Sequence, residues 1–130
     1  MIAVDTSALM AILLEEPQAE AILFAISTAG KVLIGQPTLV ELHLVASGRS
    51  RPSMAEDAAG LMVGGPFVPV DFTATHLAAA TDAFDRYGKG RHPASLNYGD
   101  CMAYAVAKVA GCPLLYKGED FARTDIRSAL

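Results

Sequence analysis

The stretch Met1-Ile2-Ala3-Val4-Asp5-Thr6-Ser7-Ala8-Leu9 decides the fold. A short apolar run that stops at a carboxylate is a buried strand, and the two hydroxyls after it can cap a helix over Ala8 to Leu14. The chain therefore opens on a strand-to-helix junction. Working outward, Lys31 to Gly35, Phe67 to Val70 (terminated by Asp71) and Pro113 to Tyr116 are further short apolar runs between polar or turn residues. These predict the second, third and fourth strands.

Helical spacing fills the intervals. Pro17 opens a helix that Ala21, Phe24, Ala25 and Thr28 carry to Gly30, and Pro37 opens another that ends near Gly48. Arg49 to Ser53 is a basic turn before a helix over Met54 to Met62, which Gly64-Gly65-Pro66 stops. Thr73 begins a helix closed by Gly88, Lys89 to Asn97 is an exposed loop, and Asp100 heads an Ala-rich helix, Cys101 to Ala110, that Gly111 ends. After Tyr116 come a turn, room for one more short strand, and a tail.

Strands that alternate with helices predict an α/β fold: three layers, with a central, mostly parallel four- to five-stranded sheet between helices. The 130 residues suit one domain over 1–130, long enough to bury about two-thirds of the unfolded surface. A hydrophobic fraction of 52% against 18% charged residues excludes a disordered chain and suggests apolar surface that a partner covers, as in a homodimer or a protein complex. The net charge of -4 repels nucleic acid as a whole, so any contact with RNA must be local and ion-assisted. Cys101 and Cys112 form no CxxC pair, and no stretch reaches the ~18 residues of a membrane span. A cytoplasmic protein with free thiols is the expectation.

The acids share one address. Ligands of open α/β sheets bind beyond the carboxyl ends of the strands, and right-handed crossovers bring these acids to that edge. Asp5 ends the first strand; Glu41 lies in the opening turns of the helix after the second; Asp100 starts the Ala-rich helix; Glu119, Asp120 and Asp125 follow the fourth. Taken singly, Asp100 reads as a helix cap and Glu41 as a surface acid, although the apolar Val40, Leu42 and Leu44 place Glu41 among residues expected to be mostly buried. Taken together, three or four converging carboxylates repel one another unless a cation compensates. Oxygen-only ligands select Mg²⁺ or Mn²⁺, whose chemistry on phosphodiesters is hydrolysis.

These residues resemble the PIN-domain family, and more closely its VapC-type toxins. Val4-Asp5-Thr6-Ser7-Ala8-Leu9 is similar to the first motif, and Glu41, after Pro37-Thr38 and before Leu42, to the second. Leu96-Asn97-Tyr98-Gly99-Asp100-Cys101-Met102-Ala103-Tyr104-Ala105 resembles the third. Leu114-Leu115-Tyr116-Lys117-Gly118-Glu119-Asp120-Phe121 with Thr124-Asp125 resembles the last. The resemblance implies metal ligation by Asp5, Glu41, Asp100 and a fourth acid, for which Asp120 is preferred as nearest the strand end and Asp125 is the alternative. It also implies an Mg²⁺-dependent endoribonuclease in which Mn²⁺ can substitute, inhibition by a VapB-like antitoxin, and homodimerisation.

Thr6 and Ser7 are candidates for orienting substrate or supporting a ligand, or for capping the helix. Lys89, Arg91 and His92, with Arg86, make a basic stretch before Asp100 that could meet phosphate, as could Lys117. His43, His76 and His92 share no ligand spacing, which argues against zinc. Two other readings stay open: a phosphorylation-dependent receiver module, disfavoured because Asp5-Thr6-Ser7 lacks a second acid at the strand end, and a non-catalytic binding domain.

Overall fold

The computed structural model describes residues 1–49 and 51–130; Ser50, inside the basic turn, lies outside them. Four short strands form one sheet: β1 (Ile2–Val4), β2 (Val32–Gly35), β3 (Phe67–Val70) and β4 (Leu114–Leu115). All pairings are parallel, in the order β3-β2-β1-β4. In place of a fifth strand there is one parallel bridge between Leu114 and Ser128.

Alternation along the strands explains the layers, because successive side chains of a strand leave on opposite faces. Val4, Val32, Ile34 and Leu115 join a core with α1 (Thr6–Leu13), α2 (Ala19–Thr28), α3 (Gln36–Ser47) and α4 (Met54–Gly64). Ala3, Leu33 and Leu114 join a second core with α5 (Ala74–Tyr87) and α6 (Tyr98–Ala110). Burying such aliphatic side chains is worth about 1.5–3 kcal/mol each, so both faces hold the sheet. Among the described residues no helix is long and apolar enough to cross a membrane.

This strand order locates the site. From β1 the chain moves through β2 to β3 along one side, then crosses back to lay β4 on the other side of β1. The crevice where open α/β sheets bind ligands is therefore between the carboxyl ends of β1 and β4. Gly35, at the end of β2, lets α6 pack closely on the sheet: a Cβ at that position would sit 2.8 Å from a methyl of Val106.

Several helix ends differ from the sequence reading. Pro17 lies in a turn and α2 begins at Ala19. Thr73 precedes α5 and caps it reciprocally with His76, whose Nδ1 accepts from the Thr73 N–H at 3.1 Å. The segment expected to be an exposed loop, 89–97, folds back instead: the Leu96 N–H donates to the Tyr87 carbonyl at 3.0 Å, and Ala94 and Leu96 are fully buried.

Candidate metal centre

Asp5 is the residue before the first turn of α1 and caps it itself. Its backbone is extended (φ -96°, ψ 155°), and Oδ2 accepts from the N–H of Ser7 at 2.9 Å and from its hydroxyl at 2.5 Å. The carboxylate, and neither hydroxyl, therefore does the capping expected of Thr6 or Ser7. Ser7 Oγ also accepts from the Lys117 N–H at 3.0 Å, which ties the end of β1 to the end of β4. Asp5 is buried, and its Oδ1 has no hydrogen-bond partner among the described residues; the same is true of the buried Thr6 hydroxyl.

Asp100 is the third residue of α6 and closes a reciprocal cap. Its N–H donates to the Asn97 side chain at 2.9 Å, and its Oδ2 accepts from the Asn97 N–H at 3.0 Å. The bland reading of Asp100 as a capping residue is thus correct, yet it occupies one oxygen only.

Glu41 reaches the same place from α3. Its carboxylate lies on the backbone of Gly99, so closely that a Cβ there would fall 1.7 Å from Oε2. A side chain before Asp100 would make the Glu41 carboxylate turn aside, so Gly99 admits Glu41 in this position. The expectation that Glu41 sits among buried neighbours is corrected: it is half-buried, with Val40 and Leu44 exposed and Leu42 alone inside.

The charges of these acids act on one another. Burial pushes the Asp5 carboxyl up to about 7, against the lowering by Ser7, and the charges of Asp100 and Glu41 push the same way. Asp100 is raised to about 6, first by burial and then by Asp120 and Glu41. Asp120 is exposed and joins the group from the loop after β4. The arrangement is open: among the described residues no three Asp, Glu, His or Cys side chains are gathered tightly enough to hold one ion as they stand.

These residues nevertheless fit a hard divalent cation. Orphaned buried oxygens, an all-oxygen donor set and carboxylates that raise each other's pKa are what such an ion relieves.

Asp125, the alternative fourth acid, is not in this group. Its Oδ1 accepts from the Tyr104 hydroxyl at 2.7 Å and its Oδ2 from Lys108 Nζ at 2.7 Å, with Arg86 at 3.7 Å. Burial raises its pKa, but those hydrogen bonds outweigh it and hold the carboxyl below its ordinary value. Glu119 is exposed.

The expected basic stretch is largely engaged. Arg86 pairs with Asp82 and stacks on Tyr87, Arg91 lies over the Phe84 ring, and the His92 ring accepts from the Ala94 N–H. Lys89 is exposed and without an ion pair among the described residues. Lys117 is paired with Glu16. Thr6 is too buried to touch a large substrate, and Ser7 is committed to Asp5 and the Lys117 backbone.

Sequence reasoning missed Gly99 and Glu16. Gly99 carried a signal, a glycine inside the first turn of a predicted helix directly before an acid; Glu16 carried none.

The PIN domain family model matches residues 2–127. The chain is 43% identical over 127 residues to ribonuclease VapC30 of Mycobacterium tuberculosis, covering 95% of this chain and 94% of that protein. Among solved structures, it is similar to VapC20 of M. tuberculosis, described as a toxin that cleaves the sarcin-ricin loop (TM-score 0.77, 19% identity, 97% of this chain and 96% of that one). It is also similar to a chain of a toxin-antitoxin complex from Klebsiella pneumoniae (TM-score 0.69, 17% identity, 96% and 93% covered). At those identities the structures speak for the fold alone. The family match sets the receiver reading aside.

Proposed function

Because the chain belongs to the PIN domain family, and within it to the VapC ribonucleases, we propose that it is an Mg²⁺-dependent endoribonuclease, with Mn²⁺ able to substitute, and the toxin of a VapBC-type pair. One observation carries the reading: a buried Asp5 at the crevice between β1 and β4, one oxygen of which has no partner among the described residues, in electrostatic contact with Asp100 and Glu41.

Asp5, Glu41, Asp100 and Asp120 would hold the ion. When bound, it supplies an activated water and charge stabilisation for the leaving oxygen of the phosphodiester. The chain's own residues do the rest. Asp5 is fixed by Ser7, and Ser7 by the Lys117 backbone, so the deepest ligand does not swing. Asp100 is fixed by the Asn97 cap. Glu41 and the exposed Asp120 have no side-chain hydrogen bond among the described residues, so their carboxylates would be free to turn toward the ion. Lys89, exposed and without an ion pair among the described residues, is free to meet a phosphate, and Lys117 would join it on leaving Glu16.

Partners are part of the proposal. A VapB-like antitoxin is supported by the toxin-antitoxin complex among the structural neighbours, and Leu23 and Phe24 offer exposed apolar surface on α2. A homodimer is supported by Val40, Leu44 and Tyr98, exposed around a groove of about 480 Å³ that Glu41 also lines. The free cysteines agree with a cytoplasmic protein.

The test is cleavage of a single-stranded RNA by the purified chain. Cutting that needs Mg²⁺ or Mn²⁺ and disappears in Asp5→Asn and in Asp100→Asn supports the reading, whereas full activity in excess chelator refutes it.

A further inference from the structure

We propose that Asp125 is a positioning residue, gripped by Tyr104 and Lys108 of the helix that carries Asp100, and that this grip fixes where Asp120 stands relative to Asp100. The proposal rests on the reading of the acid group as a metal site.

Asp120 needs such a device. Its side chain makes no hydrogen bond or ion pair among the described residues, so its place is set by the backbone beneath it. That backbone is a compact brace. A 3₁₀ turn over Phe121–Arg123 is pinned by the buried Phe121, whose ring meets Tyr116 at 5.1 Å. The Thr124 hydroxyl donates to the Phe121 carbonyl at 2.7 Å and accepts from the Ile126 N–H at 3.2 Å. Asp125 stands inside this brace and is its only acid bound to α6: Tyr104 donates at 2.7 Å, Lys108 at 2.7 Å.

The geometry makes the grip relevant to the site. Tyr104 is one helical turn after Asp100, ~6 Å along the axis, and is completely buried, so its hydroxyl has one fixed position. At the other end of the same segment, the Lys117 N–H is bonded to Ser7, which holds Asp5. Residues 117–125 are thus tied at one end to the support of Asp5 and at the other to the helix of Asp100, with Asp120 between the two ties. Groups hydrogen-bonded directly to a ligand typically change metal affinity about 10- to 100-fold when removed, and this grip, acting on Asp120 through the backbone, falls at the low end of that range.

The experiment measures Mn²⁺ binding to the full chain by electron paramagnetic resonance of free Mn²⁺, for the parent, Tyr104→Phe, Asp120→Asn and the double variant. Tyr104→Phe is expected to weaken binding about tenfold, and the double variant to bind no more weakly than Asp120→Asn alone, because the grip acts only through Asp120. Losses that multiply in the double variant, or unchanged affinity in a folded Tyr104→Phe, overturn the proposal. Should circular dichroism show Tyr104→Phe unfolded, Lys108→Met, on the half-exposed side of the grip, takes its place in the same cycle with the same two outcomes. Asp5→Asn separates the premises: Mn²⁺ binding that survives it overturns the metal site itself, and the grip with it.

Discussion

Asp5→Asn in metal-free protein is expected to stabilise the fold, increasingly so as the pH rises. Burial raises the Asp5 carboxyl from 3.8 to about 7, so folding favours its protonated form. A raised pKa contributes stability that is complete below the unfolded value and lost as pH climbs through the folded one. At about 1.4 kcal/mol per pH unit, ionising Asp5 costs the folded state about 4 kcal/mol in all, more than half of it between pH 5 and pH 8. Asparagine keeps the acceptor that caps α1 and carries no charge to desolvate. Urea unfolding in chelator at pH 5, 6, 7 and 8 is the assay, with the variant-minus-parent difference as readout, since titrating groups that are not coupled to Asp5 cancel in it. The difference should grow by about 2 to 3 kcal/mol across that range and reverse in saturating Mn²⁺, where only the parent gains from the ion. Parallel stability curves for the two proteins would refute the reasoning.

Gly99→Ala should unseat Glu41, because the new methyl would occupy the space of Oε2; Mn²⁺ binding should fall at least about tenfold while the melting temperature holds, alanine being up to about 1 kcal/mol better in a helix. Ser7→Ala removes a hydrogen bond that lowers the Asp5 pKa, so the pH midpoint of Mn²⁺ binding should move upward, with about 1 kcal/mol lost from stability by chemical denaturation. Leu44→Asp, on the exposed face beside Glu41, should leave a monomer in size-exclusion chromatography with its circular dichroism unchanged.

The strands and most helices were legible because their apolar residues recur at periods of two and 3.6, and the parallel sheet followed from their alternation. Helix starts were less so. In Asp5-Thr6-Ser7 three residues could cap, and only the backbone dihedrals identify Asp5, whereas Asn97 with Asp100 three residues on is a spacing that announces a reciprocal cap. The surroundings of Glu41 were misjudged by reading adjacent residues together. The helix turns Thr38, Leu42 and Ala46 inward at four-residue steps, which leaves Val40 and Leu44 outside. Asp125 shows what sequence order withholds: five residues past Asp120, it faces Tyr104 and Lys108 across the tail, a pairing that no spacing encodes.

The most direct test is a crystal of the chain grown with Mn²⁺ and examined in anomalous difference maps. An anomalous peak in the crevice between β1 and β4, ligated by Asp5 and Asp100 with Glu41 turned toward it, is the predicted result; saturating Mn²⁺ that leaves those carboxylates without a peak would contradict it.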